Sequence, residues 1–158
     1  MPIEPSQPGD LPAILAMTQA VGVFSAEEVA TVQELFEAYL RDAAGSGYYF
    51  LSYRENEQVL GFVCWGPTDL SHSAADLYWI VTSPTAHRRG VAAALFQAVE
   101  TAARALGRWL IVIWTSSRPG YEPARRFYLR VGCTLAAQIP EFYDRGDDLY
   151  IYTRHLQV

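Results

Sequence analysis

Two continuous apolar runs, Leu77-Tyr78-Trp79-Ile80-Val81 and Trp109-Leu110-Ile111-Val112-Ile113-Trp114, flank a segment in which Val91, Leu95, Val99, Ala103 and Leu106 recur at helical spacing. A run apolar on both sides of the pleat reads as a central strand covered on both faces, and a helix between two such runs is the crossover that neighbouring parallel strands require. Ser83-Pro84 stops the first run, and Gly107 is placed to end the helix.

The flanking sequence turns this unit into a mixed sheet. Asp10 is placed to cap a helix through Leu11, Ile14, Leu15 and Met17, and Ser25 with Glu28 reads as a capping box. Val29, Val32, Leu35, Phe36 and Tyr39 carry that second helix toward a turn at Gly45-Ser46-Gly47. Tyr48 to Tyr53 and Val59 to Trp65 are aromatic and β-branched runs separated by the polar Glu55 to Gln58, the pattern of an antiparallel hairpin. After the second apolar run, Ala124, Phe127, Tyr128 and Val131 mark a helix from near Pro123 to Gly132. Two strands, around Cys133 to Ile139 and Leu149 to Thr153, close the chain. Hairpins on both sides of a strand-helix-strand-helix unit require a mixed α/β (α+β) sheet.

At 158 residues, 51% of them hydrophobic, the chain is expected to form one domain over residues 1–158. It has no apolar stretch of membrane-spanning length and no signal-peptide pattern, so a cytoplasmic location without membrane attachment is expected. Cys64 and Cys133 lie in apolar or helix-end contexts without a CxxC pairing, which predicts two reduced, buried thiols and no metal. The net charge of −5 argues against a nucleic-acid partner. All 12 basic residues are arginine, so Walker-type phosphate binding and Schiff-base chemistry, which need lysine, are excluded.

Chemistry concentrates at the start of the crossover helix. A buried strand leading through a short loop into Arg88-Arg89-Gly90-Val91-Ala92-Ala93 presents unpaired N–H groups and the positive helix end, with small side chains that let an anion approach. The same segment also reads as a routine connection with two solvated arginines. A dinucleotide site fits poorly, because Gly90 is the only glycine there and Trp114-Thr115-Ser116 supplies no acidic ribose ligand.

Two motifs resemble the GNAT acyltransferases. His87-Arg88-Arg89-Gly90-Val91-Ala92 is similar to that family's acetyl-CoA loop, Gln/Arg-x-x-Gly-x-Gly/Ala, with His87 in place of the usual first residue. Tyr121-Glu122-Pro123-Ala124-Arg125-Arg126-Phe127-Tyr128 followed by Val131-Gly132-Cys133 is similar to its Asn-x-x-Ala-x-x-Phe/Leu-Tyr-x-x-x-Gly-Phe, with Tyr121 in place of asparagine. The element order matches across nearly the whole chain if a first strand lies near Met1 to Glu4.

The resemblance implies a mostly antiparallel central sheet with helices on both faces and a splayed central strand pair. It implies acetyl-CoA as co-substrate and transfer of its acetyl group to a primary amine by direct attack. Arg88 to Ala93 would hold the pyrophosphate, Ile80, Val81 and Thr82 would line the acetyl group and pantetheine, and Tyr128 would donate to the departing sulfur. A non-catalytic acyl-CoA-binding or sensing module of the same fold is the second reading. Relatives often carry an acidic base on the strand before the tyrosine helix, where this chain has Trp114-Thr115, so Asp76, Glu27, Glu28, Glu141 and Asp144 are the substitutes. The stretch Pro140 to Asp148, with Glu141, Tyr143, Asp144, Asp147 and Asp148, suits a cationic small-molecule or terminal amine, and also reads as a polar hairpin turn. A homodimer is left open.

Overall fold

The computed structural model describes residues 2–87 and 89–157. Strand β1 (Ile3–Pro5) leads into helices α1 (Leu11–Ala20), α2 (Ala26–Arg41) and a short α3 (Ala43–Ser46). Strands β2 (Tyr49–Glu55), β3 (Gln58–Pro67) and β4 (Ala74–Thr82) follow. Then come α4 (Val91–Ala105), β5 (Leu110–Ser116), α5 (Glu122–Arg130), β6 (Thr134–Asp144) and β7 (Asp147–His155). The strands form one seven-stranded sheet in the order β1-β2-β3-β4-β5-β7-β6, in which only β4 and β5 run parallel. This is the mixed, mostly antiparallel sheet that the sequence predicts. No described helix is long and apolar enough to cross a membrane.

Helices cover both faces. Ile14, Met17, Val32 and Phe36 of α1 and α2 pack on Phe50, Phe62, Cys64 and Val81 of β2 to β4. Leu95, Phe96 and Val99 of α4, with Tyr128 of α5, pack on Val63, Leu77, Ile111, Ile113 and Tyr152 on the other side. Each fully buried Phe or Leu contributes about 1.5–3 kcal/mol relative to exposure, so both layers are needed. The capping box of α2 forms as read: Ser25 Oγ accepts from the Glu28 N–H at 3.1 Å, and Glu28 Oε1 accepts from the Ser25 N–H at 3.0 Å. Cys64 and Cys133 are free and buried.

Two local features set the site. At Gly61 of β3, a Cβ would lie 2.9 Å from Val91 Cγ1 and 3.0 Å from Leu95 Cδ1, so the missing side chain lets the first turn of α4 settle on the sheet. The β4–β5 ladder runs only from Ala74 opposite Leu110 to Leu77 opposite Ile113. Beyond it β4 stays with β3 while β5 stays with β7, and the two strands part. A bulge against β3 leaves Tyr78 without a register partner between Leu77 and Trp79. It switches the alternation, so that Leu77 and Ile80 face α4 and α5, while Trp79 and Val81 face α1 and α2.

Three expectations are corrected. Asp10 does not cap α1: its carboxylate is buried and accepts from the Gln7 N–H, Ser52 Oγ and Arg54 Nη2, all at 2.9 Å. The two apolar runs are not covered on both faces throughout: α1 and α2 do not reach β5, where Trp114 is 55% exposed, and at the bulge of β4 Tyr78 is 41% exposed. Pro140 to Asp144 is not a loop but the end of β6, whose register breaks between Ile139 and Asp144 before a tight turn at Arg145-Gly146.

Candidate active site

The parting of β4 and β5 opens a cavity of about 380 Å³ between the sheet, α5 and the start of α2. Ile80 and Trp79 of β4, Thr115 and Ser116 of β5, and Tyr121, Ala124 and Tyr128 of the α5 region line it. Ala124 and Tyr128 lie four residues apart on one face of α5, and Tyr121 stands at its N-cap. Tyr128 is 6% exposed, with its ring 5.8 Å from that of Tyr152. Burial, with smaller contributions from Cys133 and Tyr152, raises its hydroxyl well above the ordinary tyrosine range. Among the described residues no protein group bonds to that hydroxyl, so its proton is available to the cavity.

The loop before α4 sits at the other end of the parted strands. Gly90 adopts φ +77°, a left-handed conformation that side chains resist, and a Cβ there would meet nothing within 4 Å. The Ala94 N–H is bonded to the Gly90 carbonyl at 3.0 Å, so the N–H groups of Val91, Ala92 and Ala93 precede the helix's own ladder. Open space, a left-handed glycine and three such N–H groups are what a pyrophosphate requires, and the residues present therefore fit CoA. The Arg89 guanidinium is turned to the β2–β3 hairpin, paired with Glu55 at 2.6 Å. Arg88 lies outside the described residues.

The remaining sequence candidates separate clearly. Of the β4 trio, the side chain of Ile80 lines the cavity; Val81 is buried in the α1–α2 core and offers only its backbone, and Thr82 pairs with Gly61. Glu28 faces the cavity, whereas Glu27 is exposed elsewhere on the first turn of α2. Asp76 lies in a separate 290 Å³ hollow, where the Tyr78 hydroxyl donates to it at 3.4 Å. Tyr143 lines the main cavity, but Glu141 and Asp144 do not. Asp148 accepts from the Glu141 N–H at 2.9 Å and from Gln138 Nε2 at 2.8 Å, contacts that lower its carboxyl pKa and brace the broken register of β6.

Asp147, which sequence reasoning grouped with its exposed neighbours, is 5% exposed and lines the cavity. It accepts from Ser116 Oγ and from Arg118 Nε at 3.0 Å. A turn-forming Asp-Asp pair does not reveal which member points inward; alternation along β7, with Leu149 buried two residues on, does.

Comparison with known proteins accords with this geometry. The model of the acetyltransferase (GNAT) family matches residues 15–133. Among curated proteins nothing matches the sequence. A solved structure assigned to the GNAT acetyltransferases, from Desulfovibrio desulfuricans, is 33% identical with a TM-score of 0.94, covering 98% of each chain. The fold is shared with an aminoglycoside 6'-N-acetyltransferase complexed with coenzyme A, at 11% identity and a TM-score of 0.79, over 100% of this chain and 98% of that one. It is shared too with yncA from Salmonella typhimurium, solved with acetyl-CoA, at 20% identity and a TM-score of 0.75, over 99% and 94%. On the family match and the 33% identity, this chain belongs to the GNAT family and is an acetyltransferase.

Proposed function

We propose that the enzyme transfers the acetyl group of acetyl-CoA to a primary amine by direct attack. The observation that carries this reading is the meeting, in one cavity, of the Tyr128 hydroxyl with the open end of the β4–β5 ladder. Acetyl-CoA supplies an acetyl group activated as a thioester. The N–H groups of Val91, Ala92 and Ala93 and the positive end of α4 hold its pyrophosphate. Ile80 and the unpaired edge of β4 beyond Leu77 line the acetyl group and pantetheine, and a backbone N–H of that edge polarises the thioester carbonyl. The acceptor nitrogen forms a bond to the acetyl carbon and loses a proton as the carbon–sulfur bond breaks, and the sulfur ends as a thiol.

Tyr128 serves the departing sulfur. A tyrosine near pKa 10 is a weaker acid than a thiol near 8.5, so complete proton transfer is uphill by about 2 kcal/mol, and burial of Tyr128 widens the gap. Tyr128 therefore acts by donating a hydrogen bond to the developing negative charge. Glu28 draws a cationic acceptor into the cavity, where Asp147 is paired with Arg118 and Tyr143 forms a wall. The two free thiols suit a reducing compartment, and the cytoplasm is the proposed location. The reading is tested by calorimetry of acetyl-CoA binding together with CoA release over a panel of primary amines. Acceptor-dependent release supports it. Tight binding without release across the panel favours a sensing module.

A further inference from the structure

The cavity has two chemically different ends. Tyr128 occupies one, and Tyr121, at the N-cap of α5, lies seven residues earlier, an axial backbone rise of about 10 Å at about 1.5 Å per residue. Ala124 between them keeps that floor clear. Two aromatic walls rise beside it. On one side the Phe24 ring stands 5.0 Å from Trp79 and 6.2 Å from Tyr121. On the other, Phe142 ties Trp114 to Tyr143, at 5.6 and 5.0 Å.

The far end carries the charge. Glu28 spends Oε1 on its helix cap, and its second oxygen has no protein donor among the described residues. Asp147 is balanced by Arg118, which leaves one net negative charge beside the Tyr121 and Tyr143 rings. Burial first, and then the anions Glu28 and Asp147, raise the pKa of both hydroxyls, so they stay neutral donors and ring faces there. A carboxylate beside tyrosine rings attracts an ammonium ion, while the aromatic walls suit a hydrocarbon chain.

We propose that the acceptor is a linear diamine, with its reacting primary amine facing the acetyl carbon near Tyr128 and a second cationic nitrogen held at the far end of the cavity by Glu28 between Tyr121 and Tyr143. This rests on the reading of the enzyme as an amine acetyltransferase and names the acceptor's class.

The test compares α,ω-diamines of increasing length with n-alkylamines of the same length, in the wild type and in Glu28→Gln. Glutamine keeps the acceptor oxygen that caps Ser25 and removes only the charge. In the wild type, kcat/KM should peak at one diamine length and there exceed that of the matching monoamine about tenfold. Glu28→Gln should bring that ratio to within about twofold. Equal turnover of both series by the wild type, or an unchanged ratio in Glu28→Gln, overturns the diamine assignment while leaving amine acetylation standing. Calorimetry of the same amines with the CoA-loaded protein supplies the comparison without turnover: stronger diamine binding that depends on Glu28 supports the proposal, and equal or no binding overturns it. Failure of every amine to release CoA, with acetyl-CoA bound, counts instead against the acetyltransferase reading of the cavity.

Discussion

Replacing Tyr128 by phenylalanine removes one oxygen from a ring that otherwise keeps its place against Tyr152 and Phe127. An ordinary core tyrosine would lose a hydrogen bond worth about 1 kcal/mol, but this hydroxyl has no protein partner among the described residues. The hydroxyl opens on the cavity and is not among the buried polar atoms without a partner, so its removal should leave stability within about 1 kcal/mol of the wild type. The loss should fall on turnover. A hydrogen bond to a charged acceptor is worth about 1.5–3 kcal/mol, which at about 1.4 kcal/mol per decade means kcat lower by about 10- to 100-fold. Acetyl-CoA affinity should stay within about twofold, since the contribution arises only as charge develops on sulfur. Because burial holds the hydroxyl protonated, kcat/KM should rise with pH as the acceptor loses its proton, with no alkaline fall from Tyr128 below about pH 10. Thermal unfolding and steady-state kinetics on one preparation decide the matter. Wild-type kcat in a folded Tyr128→Phe protein would reduce Tyr128 to a packing residue.

Gly90→Val forces a β-branched residue into φ +77° and places its side chain in the open space before α4. Acetyl-CoA affinity measured by calorimetry should fall at least about tenfold, with a stability cost of about 1–2 kcal/mol; unchanged affinity would move the pyrophosphate elsewhere. Burial raises the Cys133 thiol to about 12, whereas an unfolded cysteine ionises near 8.5. The folded state therefore retains a proton that the unfolded state loses, so stability present below about pH 8.5 declines as pH rises toward about 12. Cys133→Ala should flatten that slope in urea melts between pH 8 and 10, and an identical slope would contradict the burial argument.

How far the sequence led depends on the range of the forces involved. The α2 capping box and Gly90 were legible because each is decided within a few residues, and the crossover because strand and helix periodicity persist along its elements. Asp10 was misread because a local capping pattern lost to Ser52 and Arg54, 42 and 44 residues away in sequence. The acidic stretch after Pro140 split in a way that composition could not reveal. Past the broken register of β6, Tyr143, still 46% exposed, borders the cavity while Glu141 and Asp144 do not, and Asp147, on the same face of β7 as the buried Leu149, is buried. Glu28 and its neighbour Glu27 differ only in angle around α2, and the first turn of that helix brings Glu28 but not Glu27 to the cavity lining.

Direct acetyl transfer to an amine is tested by following labelled acetyl-CoA through a single turnover with excess enzyme, analysing both acceptor and protein. The label should appear as an amide on the acceptor nitrogen, with one CoA released per amide formed and only when acceptor is present. Both cysteines are buried, and their raised thiol pKa values leave little thiolate to take the acetyl group. Label on the protein, or CoA released at the same rate without an amine, would contradict direct transfer in this cavity.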